Sequence, residues 1–375
     1  MADKRLPGVN NPPESACILR LSAIGDCCNL VPVIRTLQAH MPTTRLSWVV
    51  GRPEAALLEG LSGVELIVHD KRQGVRALRR RLGRRRFDLL LLMQLSLRAG
   101  VSSLAISARH RLGFDRARAK DLHGLFVRHR IREDGPAHVI DGFFGFCRAL
   151  GIEERLPHWD IPIADEALAS ASELLPDGPP VLLISPCSSH AVRNWHADGY
   201  AAVARHALDA HGMRVAITGG GSALEAAMGR AIAGQLQDFP AGRVVNLVGR
   251  TDLKTLLAVM QRAAVVLAPD SGPVHMAMAA GTPAIGLYAE TNPDRAAPVL
   301  CRQWVVNAYP QAVWQAFGKS VAEVRWGQRI GQPWAMRLIT AEQVIARLDQ
   351  LLATPVEARL RRSLHAPGAI APGHA

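Results

Sequence analysis

The sequence predicts an α/β protein of two Rossmann-like, doubly wound parallel-sheet domains facing a cleft. Three observations carry that expectation. Short, almost continuous apolar runs alternate with helix-period segments from about residue 16 to 352. Such runs fit strands covered on both faces, and their alternation with helices fits parallel pairing through crossovers. The alternation stops in a proline-rich stretch, 156-LPHWDIPIADEALASASELLPDGPP-180, and then begins again. At 375 residues the chain is also long for one core. The expected division is an N-terminal domain over residues 1–170, a second domain over 171–355, and a disordered tail over 356–375.

The elements follow in order. The runs 16-ACILRL-21, 45-RLSWVV-50, 64-VELIVH-69 and 87-FDLLLLM-93 read as strands of the first sheet. Between them, 30-LVPVIRTLQAH-40, 53-PEAALLEGL-61 and 73-QGVRALRRRLGRR-85 read as helices. The first of these tolerates Pro32 only near its first turn. A further helix is expected over 137–151, stopped by Gly151. In the second half, strands are expected at 180–185, 213–219, 244–249, 264–269 and 284–289. Helices are expected at 197–212, 222–234, 252–263, from about Pro273, and at 340–352. Ligands of such sheets bind beyond the carboxyl ends of the strands, which directs attention to the strand-to-helix loops.

Composition narrows the class. Hydrophobic residues make up 49% and charged residues 20% of the chain, as in soluble globular proteins. The longest apolar stretch, around 89-LLLLM-93, is far short of a membrane span of ~20 residues. The N-terminal segment lacks the apolar region of a signal peptide. Six cysteines at 17, 27, 28, 147, 187 and 301 show no CxxC pair or metal spacing, which fits free thiols in a reduced, cytoplasmic setting. The net charge of +12 is uneven: residues 1–160 hold 26 Lys and Arg against 16 Asp and Glu, and the remainder 18 against 16. The run 71-KRQGVRALRRRLGRRR-86 holds nine basic residues and no acid. It is either a solvated helix face or a field that steers an anionic partner.

Four loops carry residues suited to chemistry. In 269-PDSGPVHMAMAAGTP-283 a strand gives way to a helix with Gly272 and Pro273 at its start. Glycine admits close backbone approach, and helix N-termini attract phosphate. Asp270 is placed to accept from a sugar hydroxyl, and His275 to face the same side; the plainer alternative makes Asp270 or Ser271 a helix cap. In 185-SPCSSHAVRNWHADGY-200, Ser188, Ser189 and Arg193 suit a diphosphate, since guanidinium binds phosphate oxygens in a fork, whereas Trp195 reads as a packing anchor. In 20-RLSAIGDC-27, Asp26 is either a general base or a cap near a helix start. In 218-TGGGSALE-225, glycines precede Glu225, which is placed to hold a ribose hydroxyl, although a lone glycine cluster is a weak signal. The histidines are scattered and form no triad or metal constellation by spacing.

Together these segments resemble glycosyltransferase family 9, the ADP-heptose:lipopolysaccharide heptosyltransferases. The resemblance runs from about residue 16 to 352. It is strongest in 18-ILRLSAIGD-26, 188-SSHAVRNW-195, 244-VVNLVGRTDLKTLLAVMQRA-263 and 269-PDSGPVHMAMAAGTP-283. It implies the two-domain GT-B architecture, inversion at the anomeric carbon, ADP-heptose as co-substrate, and no metal bound by the protein. It also implies that Asp26 is the catalytic base, with Arg20, Ser22 and Gly25 beside the acceptor. Asp270, Ser271, Gly272 and His275 match the donor-binding element, Ser188 and Ser189 a hydroxyl pair that contacts phosphate, and Glu225 a residue near the donor ribose. Arg193 stands where a lysine is usual. The implied acceptor is an anionic lipid A–Kdo core, which the basic run 71–86 would meet in peripheral contact with the inner membrane, and no nucleic acid is expected. Two other readings stay open on sequence alone: a nucleotide-sugar enzyme of the same architecture with a different donor or acceptor, and a basic nucleic-acid-binding module.

Overall fold

The computed structural model describes residues 6–70, 72–135, 138–361, 363 and 364. The chain divides into two compact units between Pro162 and Ile163, inside the proline-rich stretch and ahead of the expected 170/171 boundary.

The first unit contains β1 (Ser15–Leu19), α1 (Ile24–His40), β2 (Arg45–Val50), α2 (Arg52–Leu58), β3 (Val64–Val68), α3 (Gly74–Leu82), β4 (Arg86–Leu92), α4 (Leu97–Ser103), β5 (Ser107–Gly113), β6 (His129–Arg130) and α5 (Val139–Ala149). The strands pair in parallel in the order β3-β2-β1-β4-β5-β6. Strand order therefore reverses between β1 and β4, with Leu19 beside Leu92 at their carboxyl ends. β1 and most of β4 are buried, which explains their unbroken apolar sequence.

Helix α1 starts six residues before the expected 30–40 segment, so Pro32 lies in its interior. Proline has no N–H to give to the carbonyl four residues back, that of Cys28. The indole Nε1 of Trp159 donates to that carbonyl instead, at 2.9 Å. Trp159 is buried, so this substitution satisfies a group that would otherwise be orphaned in the core.

The second unit contains α6 (Asp165–Leu174), β7 (Val181–Ile184), α7 (Ala197–His211), β8 (Arg214–Ile217), α8 (Ala223–Gly234), β9 (Val244–Asn246), α9 (Leu253–Gln261), β10 (Val265–Pro269), α10 (Gly272–Ala279), β11 (Ala284–Tyr288), α11 (Pro293–Ala296), β12 (Val306–Asn307), α12 (Tyr309–Phe317) and α13 (Ala341–Ala353). Its sheet is again parallel, in the order β12-β11-β10-β7-β8-β9. Here the reversal lies between β7 and β10.

The expected tail begins in ordered structure. Val356–Ala358 form a 3₁₀ turn. The carbonyl of Arg359 accepts from Trp304 Nε1 at 2.6 Å, and the N–H of Arg361 donates to the Leu300 carbonyl at 3.0 Å. Residues 362 and 365–375 of that stretch, and residue 137 of the helix expected over 137–151, lie outside the described residues. The six cysteines are all free thiols; burial pushes those of Cys28, Cys147 and Cys301 up to about 12.

Candidate active site

In the second unit the loops that follow β7 and β10 meet at the point where strand order reverses, the usual place for a ligand on such a sheet. Arg193 joins them. Its Nη1 lies 3.1 Å from Asp270 Oδ2 and donates to the Asp270 carbonyl at 3.3 Å. The same Oδ2 accepts from Thr291 Oγ1, on the loop after β11, at 2.8 Å. Asp270 is therefore held from two sides and is not the cap of α10.

Ser271 occupies the cap position of α10, but its hydroxyl donates to the Pro269 carbonyl at 3.1 Å and makes no hydrogen bond to the first turn. That leaves the helix N-terminus without the side-chain oxygen that normally occupies it. Gly272 and Pro273 are the first two helical residues, and His275 sits in the first turn, buried.

The loop from Ser188 to Asn194 is closed by its own hydrogen bonds. The Ser188 N–H donates to Asn194 Oδ1 at 2.7 Å, and Ser188 Oγ accepts from the His190 N–H at 3.3 Å. Trp195 anchors the loop as expected: it is buried, its Nε1 donates to the Ile339 carbonyl at 3.0 Å, and its ring meets Tyr200 edge-on. A Cβ on Gly199 would stand 2.4 Å from the Trp195 ring, so α7 needs glycine at that position.

Cations gather at this end of the sheet. Arg193 and Arg295 lower the pKa of Arg329, after burial as the larger cause, and His190 is lowered by burial and then by Arg193 and Arg329. Glu290, at the end of β11, is buried and raised by desolvation, while both its oxygens accept from the Gly331 N–H at 3.0 and 2.9 Å. Thr291, Glu290 and Arg329 were not singled out from the sequence. The run 290-ETNPDR-295 follows a predicted strand, so the strand-end rule contained the signal for the first two.

Glu225 has a structural job. Its carboxylate accepts from the Gly220 N–H at 2.7 Å, the Ser222 N–H at 3.1 Å and Ser222 Oγ at 2.6 Å, completing a capping box on α8. These bonds pull its pKa down against burial, which is the largest single cause and acts upward.

In the first unit, Asp26 lies in the first turn of α1, just beyond the carboxyl end of β1. Its Oδ2 pairs with Arg20 Nη2. Arg20 Nη1 donates to the Met93 carbonyl at 2.7 Å, and its guanidinium lies over the Phe143 ring, 5.2 Å from the centroid. Gln94 ties the neighbouring backbone, accepting from the Leu21 N–H at 2.7 Å and donating to Ser22 Oγ at 3.3 Å. Arg20, Ser22 and Asp26 thus stand together at the β1/β4 reversal, and Gly25, in the first turn of α1, is buried. A hollow of about 390 Å³ lined by Arg52, Asp70, Arg81 and Arg85 lies along β3 and α3 and contains none of the expected site residues.

One side-chain cluster escaped the spacing argument. His206 and His211 of α7 both contact Asp349 Oδ1 of α13, at 2.8 and 2.6 Å, and the three ligand-capable atoms lie within 4.8 Å of one another. Asp349 stands 143 and 138 residues from the two histidines, a separation that no local motif can show.

The model of glycosyltransferase family 9 (heptosyltransferase) matches residues 75–320. The chain is 36% identical over 349 residues to the lipopolysaccharide core heptosyltransferase OpsX of Haemophilus influenzae, covering 92% of this chain and 99% of that protein. Among solved structures it resembles the family 9 glycosyltransferase of Veillonella parvula (20% identity, TM-score 0.73, 90% of this chain and 97% of that one). It also resembles the Escherichia coli heptosyltransferase WaaC with ADP (18% identity, TM-score 0.65, 90% and 97%). Both structures share the two-sheet GT-B fold seen here. With a family model over more than half its length and a 36% identical relative along nearly all of it, the chain belongs to glycosyltransferase family 9, the heptosyltransferases.

Proposed function

We propose that this glycosyltransferase moves a heptose from ADP-heptose to an acceptor of the lipopolysaccharide inner core, with inversion at the anomeric carbon. The observation that carries the donor half is the Arg193–Asp270–Thr291 linkage beside an α10 N-terminus that its cap side chain leaves open. A diphosphate takes the positive end of the helix, the Arg193 guanidinium, and the hydroxyls of Ser188 and Ser189. Ser271, Gly272 and His275 line the same helix start, and Asp270 accepts from a donor hydroxyl. Glu225 serves the nucleoside by fixing the 220–222 loop.

Asp26 is the base. Pairing with Arg20 fixes one carboxylate oxygen, and Oδ1 takes the proton of the acceptor hydroxyl as that oxygen attacks the anomeric carbon. The bond from that carbon to the diphosphate oxygen breaks, and the charge that develops on ADP is met by the helix dipole and Arg193. Arg20 and Ser22 contact the acceptor, and buried Gly25 leaves the start of α1 uncluttered. No resident metal enters these steps.

The acceptor is an anionic lipid A–Kdo type molecule at the cytoplasmic face of the inner membrane, and contact with that membrane is peripheral. Among the described residues no helix is long and apolar enough to cross a membrane. The test is turnover with a panel of nucleotide sugars and heptose-free lipopolysaccharide. Consumption of ADP-heptose above the others supports the reading, and preferential use of another donor replaces it with a different transferase of the same architecture.

A further inference from the structure

Helix α4 is built inside out. Its buried positions are Ala99, Gly100, Ser102 and Ser103, whereas Leu97 and Val101 on its outer side, and Leu104 just after it, are 48%, 38% and 63% exposed. Positions i, i+4 and i+7 share one helix face, so the outward stripe is apolar. The turn around 122–125, packed against α4, extends it: Leu122 and Leu125 are 65% and 77% exposed. Asp121 and Leu122 both have left-handed backbone (φ 52° and 60°), a conformation that a leucine rarely adopts. Half of the large hydrophobic side chains exposed among the described residues fall in this one stretch. An apolar patch of that kind on a soluble unit marks an interaction surface.

Its surroundings say with what. Helix α3 packs beside α4. It buries Leu78 and Leu82, and Arg76, Arg79 and Arg80 are exposed, with Arg72 just ahead of it. Apolar side chains with a cationic flank fit the interfacial zone of an anionic bilayer, where the apolar part enters the headgroup boundary and the cations meet lipid phosphates. Leu97 follows the carboxyl end of β4 and the 122–125 turn follows that of β5, the end of the sheet that carries Asp26. We infer that Leu97, Val101, Leu104, Leu122 and Leu125 dock this unit on an anionic membrane, with α3 as the electrostatic flank. The inference rests on the reading of the acceptor as lipid-anchored: docking by this face would present a membrane-embedded acceptor to Asp26.

The test is cosedimentation of the full chain with vesicles of 7:3 phosphatidylethanolamine and phosphatidylglycerol. The same samples are compared by light scattering for oligomeric state and assayed on a de-O-acylated, water-soluble acceptor. Wild type should bind, and 0.5 M NaCl should release it only in part, because apolar insertion is not screened. Leu104→Glu with Leu125→Glu should weaken binding by about tenfold or more and leave activity on the soluble acceptor intact; Leu97→Ser with Leu122→Ser provides a second pair. Arg76→Glu with Arg79→Glu should lower binding chiefly at low salt. Unchanged binding by both leucine pairs overturns the inference, as does absence of wild-type binding, or a wild-type dimer that the leucine substitutions dissociate. Vesicle binding as described without turnover of the soluble acceptor by wild type would instead count against the transferase reading.

Discussion

At Asp26 one carboxylate oxygen is held by Arg20, and Oδ1 has no protein partner among the described residues. That asymmetry suits a base, because the held oxygen orients the other. General-base catalysis contributes roughly 10²–10⁴-fold, so Asp26→Asn should lower kcat by about that factor and leave ADP affinity unchanged in calorimetry. In the proposed reaction Arg193 acts on the donor. Its charged hydrogen bonds are worth about 1.5–3 kcal/mol, so Arg193→Ala should weaken ADP binding by roughly 10–100-fold. Arg193→Lys should recover only part of this, since Nη1 alone meets both the Asp270 carboxylate and carbonyl, and a compact ammonium lacks the planar set of further N–H donors that a guanidinium offers a phosphate. Glu290 gives a pH signature. Burial raises its pKa, with the Gly331 N–H and Arg193 opposing, so the folded protein prefers it protonated. Its contribution is most favourable at low pH and is lost as pH rises through the folded value. Glu290→Gln should therefore raise Tm at pH 7.5, and the gain should shrink as pH falls toward the ordinary glutamate range.

At the scale of elements, Pro32 and Trp159 form a pair that can be tested against itself. Trp159→Phe removes the donor to the Cys28 carbonyl and should cost about 1–3 kcal/mol. In a Pro32→Ala background the alanine N–H supplies that carbonyl from within the helix, so the same substitution should cost measurably less in urea unfolding. The pair also shows where sequence reading stops. A proline reads as an element boundary because its local chemistry is unfavourable, and the indole that compensates comes from 131 residues away. Strands buried on both faces were legible because burial writes itself as apolar runs, as in β4 and β10. β5, SARHRLG, was missed because three of its seven residues are charged or histidine, and β6 because two residues carry no period. Helix α4 was missed because its apolar side faces outward. In the site, Asp270, Ser271, Arg193 and Asp26 announced themselves by residue type at strand ends. Glu225 was read for its charge, and its three hydrogen bonds to the 220–222 loop emerged only from the geometry.

At the scale of the whole molecule, the charge asymmetry follows the structural division. No charged residue lies between 160 and the Pro162/Ile163 boundary, so the first unit carries 26 basic against 16 acidic residues and the second 18 against 16. A near-neutral balance on the second unit, proposed to hold the donor, and a basic one on the unit with Asp26 fit an anionic acceptor, whose encounter rate should fall as salt screens the field. Raising NaCl from 50 to 300 mM should therefore increase KM for the phosphorylated acceptor and leave KM for ADP-heptose much less affected. The most direct measurement is mass spectrometry of heptose-free lipopolysaccharide after incubation with ADP-heptose and either wild-type protein or Asp26→Asn. The expected result is addition of a single heptose residue by wild type and a residual trace by the variant. Unmodified acceptor with wild type, or equal addition by the variant, would contradict the assignment of heptosyl transfer with Asp26 as its base.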